Sequence, residues 1–262
     1  MPHARHSRPK LALWLLLLVA TPTAALLRLS SAQTHFGAWA ISRSSSSTNI
    51  VMTGYGGDFE TYDGGDYKVF VGRGMDRFRR SDVRGSVSDF DKAIRLQPSL
   101  APYMWQRGLS LYYADQFEEG SKQFRKDVAL NPNDTEEAIW AFLCEARMPS
   151  VGFATAQQRL LKISNERRPY MRAAYSLFKG DSTESDLAKQ MEVASAKNDA
   201  RAGAAYFYAN LYLGLYAEAK GDDIMTSAPV SHMSAAVRSS YAKSTGDYMG
   251  DVARVHQRVR GW

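Results

Sequence analysis

The chain writes one pattern twice, 34 residues apart. Gly74 returns as Gly108, Phe78 as Tyr112, Ser86 as Gly120, Phe90 as Phe124 and Pro98 as Pro132. A fixed period of this length is the mark of a stacked helix-turn-helix repeat, in which each unit buries its apolar face against the next. The first unit predicts a helix near 67–80, a turn at Ser81-Asp82 and a second helix near 83–96, closed by Pro98. The second unit predicts helices near 102–114 and 117–129 with Asp115-Gln116 between them, closed by Asn131-Pro132-Asn133-Asp134. Proline cannot continue the helical hydrogen-bond ladder, so each unit stops there.

Small residues where two helices cross let the axes approach, and an aromatic fills the space beside them. Gly74 with Ser86 and Phe90, and Gly108 with Gly120 and Phe124, have that arrangement. These residues resemble the tetratricopeptide repeat (TPR), and the register agrees over 67–134. One departure is Asp127, which stands where the first unit has Ala93, and a repeat edge or a polar partner is expected for it. The fold class expected is all-α: a TPR-type α-solenoid of antiparallel helix pairs in a right-handed superhelix, preceded by a disordered N-terminal presequence.

Two units leave apolar faces uncovered, so further pairs are expected. Residues 135–262 supply degenerate helix pairs near 135–147, 154–163, 170–179, 184–196, 204–220 and 231–243, and a C-terminal capping helix near 248–259. In the last, Val252, Val255 and Val259 form one apolar stripe, with Arg254, Arg258 and Arg260 on other faces. The segment 67–262 is similar to TPR proteins of plant and algal plastids, and more loosely to TPR lipoproteins of the bacterial envelope. Pro-Asn-Asp-Thr-Glu-Glu-Ala-Ile-Trp (132–140) and Gly-Asp-Tyr-Met (246–249) carry that similarity. Bacterial members of the group act as adaptors, so the resemblance implies a non-enzymatic adaptor or assembly factor.

The first 66 residues read as an address. Arg5, Arg8 and Lys10 precede an apolar run, Leu11 to Ala20, and Thr23-Ala24-Ala25 offers small residues for cleavage. This is the layout of a signal peptide over 1–25. The run is shorter than the ~20 apolar residues of a membrane span, so no stable span is expected after signal cleavage. Residues 26–66 form a transit-like or disordered linker: Ser-rich, Arg-bearing, and without an acid until Asp58. The two together resemble the bipartite presequence of algae with complex plastids, which implies a plastid (chloroplast) destination; the alternative is the secretory pathway or the extracellular space.

The formal charge of +6 misleads about partners. Five Lys/Arg and no acid lie within 1–57, which leaves 28 Lys/Arg against 27 acids in the remainder. That balance gives no basic body for nucleic acid. Nor are the markers of an enzyme or of a cofactor or metal site present. Beyond the presequence only His232 and His256 remain, without metal-ligand spacing, and each is expected to be solvated. Cys144, the single cysteine, sits in an apolar run and is expected to be buried and inert. Glu118-Glu119 and Glu136-Glu137 are expected as solvated helix starts that favour the dipole. Asn133-Asp134-Thr135 matches a glycosylation sequon and is equally accounted for by turn and cap chemistry.

The expected site is the groove lined by the first helix of each unit. The motif places Val71, Met75 and Phe78 there from one unit, and Trp105, Leu109, Tyr112 and Tyr113 from the next. An apolar, aromatic groove suits an amphipathic helix or an extended apolar peptide. The TPRs that clamp a carboxylate tail use Lys, Asn and Arg there. Val71, Gly72, Pro102, Trp105 and Gln106 occupy those places here, which argues against that partner class. Self-association through the C-terminal helices is the second expectation. Arg73, Arg77, Arg79, Arg80 and Arg84, interleaved with Asp76, Asp82, Asp89 and Asp91, are expected to form a solvated face of pairs across single turns.

Overall fold

A computed structural model describes residues 65–196, 201–222 and 227–262, and the signal, transit-like and linker expectations for 1–64 fall outside them. The described residues are all-α, without a strand, and the helices pack in adjacent pairs. In order they are α1 (Tyr67–Arg79), α2 (Val83–Leu96), α3 (Trp105–Tyr113), α4 (Phe117–Leu130), α5 (Thr135–Arg147), α6 (Gly152–Gln158), α7 (Pro169–Lys179), α8 (Glu184–Ala196), α9 (Ala202–Lys220), α10 (Ser227–Arg238), α11 (Ser240–Ser244) and α12 (Tyr248–Arg260).

The sequence sets the starts of these helices through side-chain caps. Asp66, Asp82, Asp134 and Asp247 each accept a backbone N–H from the first turn of the helix that follows. The ends are also shared. Asp82 N donates to Arg77 O, Gln116 N to Leu111 O, Asp181 N to Ser176 O, Asp222 N to Ala217 O and Trp262 N to Gln257 O. This is the Schellman closure, which needs a left-handed residue just past the helix. Gly180, Gly221 and Gly261 fill that position in three helices, but Ser81 and Asp115 fill it in the two repeat units, at φ 66° and 58°.

The helix crossings follow from the glycines. A Cβ placed on Gly74 would lie 3.0 Å from the Phe90 ring, and one on Gly108 only 2.6 Å from the Phe124 ring. Each aromatic therefore lies flat on the backbone of the partner helix. Ser86 Oγ donates to Gly74 O at 2.7 Å and meets Ser110 Oγ at 2.9 Å, so the small polar residue at the crossing also ties one unit to the next.

Several expectations need correction. The second unit opens with a 3-10 turn at Pro98–Tyr103, and α3 starts only at Trp105, because Pro98 and Pro102 both interrupt the ladder while Leu100 inserts into the core. The partner helix expected near 154–163 is the short α6, and the helix expected near 231–243 is broken at Ser239, whose hydroxyl caps α11. Arg79 pairs with Asp76 across one turn, as expected, but Arg73 and Arg77 reach across to the second helix. Both reach Asp89 on α2, Arg73 through two hydrogen bonds of 2.9 and 2.5 Å. One period later Arg107 takes the same place, bonded to Asp91 and Gln123.

The largest departure is the C-terminal helix. Expected to cap the far end of the stack, α12 returns to the first two units and packs on α1 and α3 as well as on α10 and α11. Val252, Ala253 and Val255 are buried there, and a helix with this apolar stripe is satisfied only against another apolar face. Cys144 is fully buried in α5, and burial pushes its thiol well above the ordinary range.

Candidate partner-binding face

The seven residues expected to line a groove divide into two groups. Val71 and Met75 are half-buried, packed against a cluster of Phe70, Phe90, Ala93, Leu100 and Met104. Phe78, Leu109, Tyr112 and Tyr113 are buried and Trp105 half-buried, so they offer no open groove. The reason is α12. The Tyr248 ring stacks on Phe78 with centroids 5.5 Å apart and meets Trp105 edge-on at 5.3 Å. The Arg260 guanidinium lies over the rings of Tyr112 and Tyr113, at 5.6 and 5.7 Å.

Polar contacts fix the register of α12 along this face. Asp251 accepts from Arg79 Nε at 2.8 Å near the start of the helix, and Arg258 Nη2 donates to Arg79 O at 2.7 Å further along. At the end of the helix Arg260 donates to Glu218 at 2.7 Å and to Asp115 at 3.0 Å. Glu218, from α9, is the hub of this end. It also accepts from Tyr112 Oη at 2.6 Å and from Arg147 of α5. Burial acts to raise the Glu218 carboxyl, but the charges around it, Arg260 and Arg147 among them, overcome that and hold it below the usual range.

His256 corrects another expectation. It is fully buried rather than solvated, with Nδ1 3.2 Å from Tyr113 Oη and its ring 4.5 Å from that of Trp262. Burial pushes it down to about 4, with Glu218 opposing and Arg260 and Arg147 reinforcing the shift. His232 is half-buried, with Nδ1 2.9 Å from Asn210 Oδ1.

The fit of α12 is incomplete. Tyr248 Oη, His256 Nε2 and Arg260 Nη2 are buried without a hydrogen-bond partner. A buried polar atom left unpaired costs about 1–3 kcal/mol. All three belong to residues through which α12 grips the face.

A second polar group lies at the start of α5, where Glu136 and Glu137 are buried, not solvated as expected. Asp127, expected at a repeat edge or with a polar partner, is buried beside them with a polar partner, accepting from Gln123 Nε2 at 3.0 Å. Arg168 binds Glu136 at 2.6 Å and Glu166 at 2.8 Å, yet burial still pushes Glu136 up to about 8. Burial also pushes Asp127 up to about 8 and Glu137 far above the carboxylate range, with Asp134, Asp127 and Glu136 adding to the rise at Glu137. Among the described residues no group of His, Cys, Asp or Glu is arranged to hold a metal ion. Nor, among them, is any helix long and apolar enough to cross a membrane.

The residues that hold α12, namely Tyr248, Asp251, His256 and Arg260, were not visible as a site in the sequence. Their spacing gives only an amphipathic helix, and nothing local says which face receives it. The fold defines a class: an all-helical protein of adjacent helix pairs, here with α12 packed on α1 and α3. No family model matches the chain, and no curated protein matches it.

Proposed function

We propose that this chain is a non-enzymatic protein-interaction adaptor of the TPR type, a right-handed α-solenoid that receives a helical segment of another protein on the face of α1 and α3. The observation that carries the reading is the seating of α12: an amphipathic helix lies on that face with Tyr248 between Phe78 and Trp105. Helix-in-groove recognition uses an apolar stripe flanked by ion pairs, and the contacts of α12 have that composition. A photo-reactive amino acid at Met75 or Trp105 of the full chain, activated in the native compartment, tests it. The expected result is an adduct with a second protein from these positions and not from Lys189 on α8; adducts from Lys189 alone, or none, overturn it. An adduct of twice the chain mass identifies self-association instead. The proposed plastid address is tested by fusing residues 1–60 to a fluorescent protein, and fluorescence confined to the endoplasmic reticulum or the medium rejects it.

A further inference from the structure

We propose that α12 is an internal ligand of the adaptor face, seated there until an external amphipathic helix of the same chemistry displaces it. This rests on the reading of that face as a protein-binding surface.

Two observations carry it. First, the seat is selective. α12 meets it with an aromatic at 248, an acid at 251, apolar residues at 252 and 255, an imidazole at 256 and a cation at 260. The four ring or charged groups find counterparts elsewhere in the fold: Phe78 and Trp105 for the aromatic, Arg79 for the acid, Tyr113 for the imidazole, and Glu218 and Asp115 for the cation. That order of side chains describes the occupant. Second, the seat is imperfectly used, because Tyr248, His256 and Arg260 each bury a polar atom that finds no partner. A helix that presents Phe in place of Tyr248 keeps the stacking and sheds one of those atoms.

The tether explains why α12 wins by default. A segment held by a short linker competes at an effective concentration on the order of millimolar. An external helix of equal affinity is therefore excluded, and one that binds better, or that meets a weakened α12, is admitted. The partner is a protein with an exposed helix that reads aromatic, then acid three residues on, apolar at four and seven, and basic at twelve.

The test uses the full chain and a fluorescent synthetic peptide of residues 246–262. Anisotropy is expected to show weak binding to the native chain. Binding to the Tyr248→Ala chain, whose seat is intact and whose own helix is weakened, is expected to be at least roughly tenfold tighter, since the tethered competitor is lost. Arg79→Glu, on an exposed part of the seat, is expected to abolish that gain. A peptide carrying the Tyr248→Phe change is expected to bind more tightly than the native peptide. Equal binding to the native and Tyr248→Ala chains leaves the seat standing and overturns the displacement. No binding to either chain overturns the seat itself. Hydrogen exchange on the unaltered full chain supplies a check that needs no variant. Amides of α12 are expected to open more readily than those of α9, and opening of both only together, by global unfolding, also overturns the proposal.

Discussion

His256 on α12 and Tyr113 on α3 meet inside the protein, the imidazole Nδ1 3.2 Å from the phenol oxygen. The surroundings of His256 favour the neutral ring, so its folded pKa of about 4 lies below the ordinary 6.5. A depressed folded value means stability that is complete above 6.5 and is lost as pH falls toward 4, because only the unfolded chain takes up the proton in that interval. The interval corresponds to roughly 3 kcal/mol. Urea titrations of the native and His256→Gln chains between pH 7 and pH 4 check it: the native chain is expected to lose stability more steeply than the variant.

Glu137 behaves in the opposite sense. Its folded pKa is raised, first by burial and then by Asp134, Asp127 and Glu136. A carboxyl of this kind contributes fully only below its unfolded value, and stability falls as pH rises through the neutral range. Glu137→Gln mimics the protonated form. It is expected to raise stability at pH 8 by about 1 kcal/mol or more and to give little at pH 4.5. Thermal unfolding at the two pH values reads this directly, and an equal effect at both would reject the assignment.

Gly108 leaves no room for a methyl group, since its Cβ would fall 2.6 Å from the buried Phe124 ring. Gly108→Ala is expected to cost about 1–3 kcal/mol through overpacking. Gly74→Ala, where the same contact is 3.0 Å, is expected to cost less. The order of the two midpoints in denaturant is the observable.

Ser81 holds the left-handed closing position of α1 at φ 66°, and its hydroxyl is buried without a partner. Ser81→Gly relieves both, against a greater loss of backbone entropy, for a net gain of about 0.5–1 kcal/mol. Asp115→Gly at the equivalent position is expected to gain less, because Asp115 accepts an ion pair from Arg260. Differential scanning calorimetry of the two single variants separates them.

What the sequence revealed was what is local or periodic. Gly74, Gly108, Phe90 and Phe124 stand in helix contacts set by the 34-residue spacing, and the turn at Ser81-Asp82 and the cap at Asp134 are set within a few residues. What it concealed depends on contacts between distant segments. Tyr112 and Tyr113 have the composition of an open groove, and their burial draws on Trp140, Glu218, His256 and Arg260, all farther along the chain. Glu136 and Glu137 resemble an ordinary acidic first turn, and only Asp127 of α4 and Arg168, just before α7, reveal that the turn faces inward. The all-helical, paired arrangement was therefore legible, while the seat of α12 was not.

The ion pair between Arg79 and Asp251 spans 172 positions. Neighbouring helix pairs need only nearby residues and form quickly, whereas a contact of this span must wait for a long loop to close. A ribosome releases α1 and α3 well before it releases α12. Until α12 emerges, Phe78 and Trp105 have no Tyr248 to cover them, so the growing chain shows a face that the folded one conceals.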